Sequence, residues 1–132
     1  MNQQRGFTLF MAIFFLVIIG LLGIYMVRLS GLQKETVSYA LLGARSYQAA
    51  RAGIEWSLAT ISNGGNCTQI TAQNPMTFTG LSNFPVTLTC TSTSYSEGNK
   101  TGNIYKVTSL SQYDSYSAGD YVARQISISI LN

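Results

Sequence analysis

Between Arg5 and Arg28 the chain reads GFTLFMAIFFLVIIGLLGIYMV, without one charged side chain. No other feature restricts the possible folds so sharply. A helix rising about 1.5 Å per residue over this run is about 33 Å long, enough to cross the hydrocarbon core of a bilayer. A helix apolar on every side belongs in lipid or inside a helix bundle, not on the surface of a water-soluble domain. The run is therefore read as a spanning segment. An ordinary secretory signal peptide fits poorly, because its apolar region is usually about 7–15 residues long and precedes a small-x-small cleavage site. Here the run ends in Tyr25-Met26-Val27-Arg28-Leu29, which holds no such site. A plain single-pass anchor remains as the other reading. Charge does not orient the span, since Arg5 precedes it and Arg28 and Lys34 follow closely.

With 132 residues in all, a chain committed to lipid at one end has room for only one small domain. Residues 29–61 carry apolar and small residues at helical spacing, namely Leu29, Leu32, Thr36, Ala40, Ala44, Tyr47, Ala50, Ile54, Leu58 and Ile61. Gln33, Glu35, Arg45, Arg51 and Glu55 fall largely on other faces. This predicts an amphipathic continuation of the first helix, its apolar stripe under a globular part. Gly31, Gly43 and Gly53 interrupt it, either as tolerated helix glycines or as points of bending or close packing. Asn63-Gly64-Gly65-Asn66 then stops the helix, since both residue types accept left-handed backbone angles.

Beyond that stop the period changes from helical to two. Residues 84–91 (FPVTLTCT), 104–110 (IYKVTSL) and 122–130, ending in ISISI, alternate apolar with hydroxyl side chains and are rich in β-branched residues. Such runs are half-buried strands. Turn-rich segments around Ser96-Glu97-Gly98-Asn99 and Ser117-Ala118-Gly119-Asp120 separate them, so an antiparallel meander is expected. A shorter strand over residues 76–79 is a further candidate. The expected fold class is α+β: a long N-terminal helix, membrane-spanning in its first half, packed on a small antiparallel β-sheet. Its sections are residues 1–6, 7–28 (spanning helix), 29–62 (amphipathic continuation) and 63–132 (small β-rich globular part).

Cys67 and Cys90 are the only cysteines. A bridge between them closes a loop of about two dozen residues and contributes about 3 kcal/mol on the chain-entropy model, a large share for so small a domain. Paired cysteines in an exported domain usually bridge, which favours a C-terminal part outside the cytoplasm. Two buried free thiols are the alternative.

Histidine is absent, which excludes His-dependent triads and His metal sites. Glu35, Glu55, Glu97, Asp114 and Asp120 are the only acids and form no catalytic motif, so no enzyme activity and no cofactor are expected. Eight basic residues against five acids give +3, but they are scattered rather than gathered into a basic stripe with aromatics, and no nucleic-acid partner is expected. The loop Asp114-Ser115-Tyr116-Ser117-Ala118-Gly119-Asp120 offers oxygen ligands, yet its spacing is not that of a calcium loop and a solvated turn is the better reading. Tyr113, Tyr116 and Tyr121, with Asp114 and Asp120, form a candidate contact surface, or simply cover the sheet. Trp56, the sole tryptophan, is expected in the core.

The junction Arg5-Gly6-Phe7-Thr8-Leu9 resembles the processing motif of the type IV pilin family. In that family a short polar leader ends in glycine and Phe-Thr-Leu opens an apolar helix. The resemblance implies that prepilin peptidase cuts between Gly6 and Phe7 and that the new N-terminal Phe7 is methylated. It extends over Met26-Val27-Arg28-Leu29-Ser30, over the run from Leu42 to Trp56 (LGARSYQAARAGIEW between them), and over Tyr121-Val122-Ala123-Arg124-Gln125. There the chain is similar to minor pilins of mannose-sensitive haemagglutinin (MSHA) pilus biogenesis. Residues 63–84 match mainly in their cysteine and threonine content.

One position departs from the family pattern. Five residues into the mature chain, filament subunits usually carry a glutamate that pairs with a neighbour's N-terminal amine, and here the residue is Met11. An unpaired charge in a low-dielectric bundle costs several kcal/mol, so a subunit with Met11 suits a place where no neighbour's amine needs neutralising. The resemblance thus implies a minor subunit acting in initiation or at the tip. It would be held in the inner membrane with a periplasmic C-terminal domain and then carried into a pilus. Its implied partners are other minor and major pilins, prepilin peptidase and the inner-membrane assembly platform. A type II secretion pseudopilin and a tip adhesin or DNA-uptake module are the alternatives.

Overall fold

In a computed structural model that describes residues 7–131, the chain forms two helices and three strands. Helix α1 spans Phe7–Ser62, α2 spans Cys67–Thr71, and strands β1 (Val86–Glu97), β2 (Lys100–Tyr113) and β3 (Val122–Leu131) follow. The two helical stretches expected from the sequence are one unbroken helix of 56 residues. The chain divides into two compact units, one ending at Ser38 and the next beginning at Tyr39.

In the first unit α1 exposes its large apolar side chains on every side, from Leu9 to Leu29. The helix is long and apolar enough to cross a membrane. Gly20, Gly23 and Gly31 have no neighbouring atom within 4 Å of the position of a Cβ.

The second unit has the expected α+β arrangement, the later turns of α1 lying on a three-stranded antiparallel sheet of order β1-β2-β3. Register is continuous across the sheet, for example Leu88↔Ser109↔Ile126 and Cys90↔Val107↔Ile128. Because side chains alternate between faces, Val86, Leu88, Val107 and the isoleucines of β3 share the face toward α1. Ala49, Ile54, Ile61, Ile70 and Phe84 complete the core, and Trp56 packs partly buried against it.

The stripe of α1 that meets the sheet is only in part the one its hydrophobicity predicts: Ala50, Ile54 and Ile61 are buried as expected. Ala44, Tyr47 and Leu58 are exposed, whereas Gly43, Ser46, Ala49, Ala50, Gly53, Ser57 and Ile61 are buried. Close approach selects the smaller side chains. A Cβ on Gly53 would stand 2.7 Å from Ser109 Oγ and 2.8 Å from Val86 Cγ1, and one on Gly43 would stand 3.0 Å from Arg124 Nη2. Ser46 Oγ donates to the Ser111 carbonyl at 3.1 Å, stitching helix to sheet. The Ser109 and Ser111 hydroxyls, buried below the helix, have no hydrogen-bond partner among the described residues.

Helix α1 ends as the Asn-Gly-Gly-Asn signal predicts. Gly64 takes φ +81°, Gly64 N donates to the Ile61 carbonyl and Gly65 N to that of Thr60, the two bonds of a Schellman cap. Asn66 then caps α2: its side chain accepts from Gln69 N while Gln69 Oε1 accepts from Asn66 N, both at 3.1 Å. Ile70 buries completely, and Cys67 at the start of α2 is bonded to Cys90 of β1, their Cα atoms 5.2 Å apart. The expected disulfide is formed.

Residues 76–79 do not make a strand; Met76 alone pairs with Val86. Both backbone bonds of that pair form, at 2.8 and 2.9 Å. Two residues earlier the Asn74 amide imitates a backbone unit, donating to the Leu88 carbonyl at 2.6 Å and accepting from Leu88 N at 2.7 Å. This segment therefore covers the outer edge of β1 where β1 lies against the core. β1 and β2 run on past the core to a tight turn at Gly98, which has φ +60°, a conformation glycine adopts without steric cost.

Candidate functional site

Two surfaces built by these elements can act on other molecules. The first is the apolar part of α1. Phe10 is 79% exposed and Val27 75%, and large apolar side chains occupy the whole circumference between them. Each such side chain left in water instead of buried costs about 1.5–3 kcal/mol, so the run as a whole requires a cover of lipid or of other helices. The first acid of the chain is Glu35, leaving this surface without a carboxylate. Met11 lies on it, 46% exposed. Phe7 opens α1, and Gly6, the residue before the expected cut, lies outside the described residues.

The second surface is the loop between β2 and β3. Asp114, with φ +60°, turns the chain out of β2, and its carboxylate accepts from Ser115 N at 2.7 Å. Turns follow through Ala118 N to the Ser115 carbonyl and Tyr121 N to that of Ala118. The loop is held to α1 by Tyr39, whose hydroxyl donates to the Gly119 carbonyl at 2.9 Å and lies 3.4 Å from Asp120 Oδ1.

The three loop tyrosines occupy different environments. Tyr113 packs on Phe84, ring centroids 5.1 Å apart, at the margin of the core. Tyr121 is half-buried and its hydroxyl accepts from Gln112 Nε2 at 3.0 Å. Tyr116 meets Tyr121 edge-on at 5.4 Å and is otherwise 88% exposed. Tyr113 and Tyr121 therefore work as supports, and Tyr116, flanked by the exposed carboxylates of Asp114 and Asp120, is the side chain of the three left open.

Comparison with protein families, with curated proteins and with solved structures finds no match to this chain.

Among the described residues no three His, Cys, Asp or Glu side chains converge on a point that could hold a metal ion. The carboxylates of Asp114 and Asp120 are engaged by different partners, a backbone amide and a tyrosine hydroxyl. One ion pair forms among the described residues, Arg51 Nε to Glu55 Oε1 at 2.9 Å, both side chains well exposed. It contributes a few tenths of a kcal/mol to the helix. Chemically, the first surface offers apolar packing, and the second adds hydroxyl groups and the carboxylates of Asp114 and Asp120.

Sequence reasoning overlooked Tyr39 and Asn74. Tyr39 gave no signal, since a tyrosine on a helix face reads as ordinary cover. Asn74 stands before a proline, a context that is common in turns and gives no sign of pairing with a strand.

Proposed function

We propose that this chain is a minor subunit of a type IV pilus-like filament of the MSHA kind, and that it takes part in initiation or at the tip. The observation that carries this reading is α1 itself. One helix has a fully apolar first part, with every large side chain there in need of cover, and a last part seated on a small disulfide-closed antiparallel sheet. That construction suits a subunit that waits in the inner membrane and then exchanges lipid for the apolar helices of neighbours, held by van der Waals packing between helices. Prepilin peptidase cuts between Gly6 and Phe7, the domain beyond the span stands in the periplasm, and the assembly platform moves the mature chain into the filament beside other minor and major pilins.

The tip assignment rests on Met11. A subunit without a carboxylate at that position offers nothing to neutralise a neighbour's buried amine, so its repetition through a shaft is unfavourable by several kcal/mol per subunit. Immunogold labelling of sheared filaments tests the placement. Label confined to one filament end is expected; label spaced along the shaft, or found in membranes and never on filaments, contradicts it.

A further inference from the structure

The two edges of the sheet are treated differently. Along β1, Val86 and Leu88 point their backbone groups away from β2, because both bond outward, to Met76 and to the Asn74 amide, and every second residue after them does the same. Antiparallel pairing alternates strictly, so with the observed register the backbone groups of Val107 and Ser109 bond to those of Ile128 and Ile126. The outward-pointing residues of β3 are consequently Ala123, Gln125, Ser127, Ser129 and Leu131. The Ala123 carbonyl accepts from Arg124 Nη1 at 3.1 Å. The N–H and C=O groups of Gln125, Ser127 and Ser129 have no partner among the described residues.

Natural edges are commonly guarded by lysine, proline, bulges or a covering segment. From Gln125 to Leu131 the sequence is QISISIL, with no charge and no proline, and no described segment covers it. On the α1 side of the same strand Ile126, Ile128 and Ile130 are only partly buried. The β1 edge is also free beyond Cys90, but there TSTSYSE offers few apolar side chains to cover. Among the described strands only β3 combines an open ladder with an unfinished apolar row.

Charge tells what fits this edge. Arg124, at the start of β3, is exposed and has no carboxylate within ion-pair distance among the described residues. β3 itself contains no Asp or Glu, so a second copy pairing through β3 brings another arginine and no counter-charge. We propose that the outer edge of β3 receives an extended strand of a different polypeptide. The backbone of that strand pairs with Gln125, Ser127 and Ser129, its alternate apolar side chains complete the cover over Ile126, Ile128 and Ile130, and a carboxylate of it meets Arg124. This is strand addition, in which main-chain bonds give affinity and alternate side chains give selectivity.

The test uses the full chain in detergent micelles and, as probe, a short peptide alternating valine and threonine with an aspartate at one end. Amide hydrogen exchange is read residue by residue. Without probe, the amides of Gln125, Ser127 and Ser129 exchange fast while those of Ile126 and Ile128 are protected. With probe at about ten times its dissociation constant, the three slow about tenfold. Ser127→Pro removes one outward N–H at a position where an edge strand tolerates proline and abolishes the slowing, whereas Ser127→Ala retains it. Arg124→Glu weakens binding of the aspartate peptide and restores it for a peptide carrying lysine instead, a readout independent of the proline variant. Absence of slowing at any probe concentration overturns the proposal, as does slowing that appears with rising protein concentration alone, which would make a second copy the occupant.

Discussion

Gly53 and the serines beneath it set the distance between helix and sheet. Replacing Gly53 by alanine drives a methyl group to 2.7 Å from Ser109 Oγ and 2.8 Å from Val86 Cγ1, where neither neighbour is a free chain end. Such overpacking costs about 1–3 kcal/mol, against a gain of up to about 1 kcal/mol in helix propensity, so Gly53→Ala is expected to lower the stability of the domain. Gly31→Ala meets no neighbour within 4 Å, so only the propensity gain remains and no loss of stability is expected. Ser109→Ala removes a buried hydroxyl without a partner, and raises stability by about 1 kcal/mol. Urea unfolding followed through Trp56 fluorescence in micelles reads all three. Close packing was one of two readings open for Gly43 and Gly53, but the partners were out of reach of sequence reasoning, because helical spacing identifies a period and hydrophobicity then favours the larger side chains. Tyr47 and Leu58 were placed on the packed face for that reason, whereas the serines on the sheet select Ser46, Gly53 and Ser57.

At the scale of elements, the outlines were legible. The extent of α1, its stop at Asn63-Gly64-Gly65-Asn66 and the three strands follow from hydrophobic period and from residues that accept left-handed angles. The pairing of two cysteines follows from their number. Strand ends were less so: β1 and β2 continue well past their apolar residues, since a ladder closed by a tight turn needs no core beneath it. Helix α2 was missed because a single turn shows no period, although Asn66 and Gln69 spell a capping box. Its anchorage rests on Ile70 and on Cys67–Cys90, which are separated by 23 residues. Cys67→Ser with Cys90→Ser is expected to cost about 3 kcal/mol, a large part of the roughly 5–15 kcal/mol that holds a domain folded. Amide exchange should speed first in α2 and in the segment around Asn74, while β2–β3 pairing persists in the remaining folded fraction. Unchanged stability in the double variant would show that Ile70 and the Asn74 pairing anchor this corner alone.

For the molecule as a whole, the apolar part of α1 dominates. An exposed surface of that kind costs on the order of tens of kcal/mol in water, far more than a small domain has to spare, so the chain must be inserted, bundled or cut. The loop carrying Tyr116 and the open edge of β3 lie on the other unit. Sequence made the span plain, while the open edge of β3 could be found only after the register assigned which amides point outward.

The central claim, a processed subunit of the pilin kind, is tested most directly by intact mass and N-terminal sequencing of the protein taken from membranes with and without prepilin peptidase. A mature chain beginning at methylated Phe7, found only when the peptidase is present, is the expected result. A chain that still begins at Met1 in the presence of the peptidase, or one cut elsewhere, would contradict the account and leave a plain membrane-anchored domain.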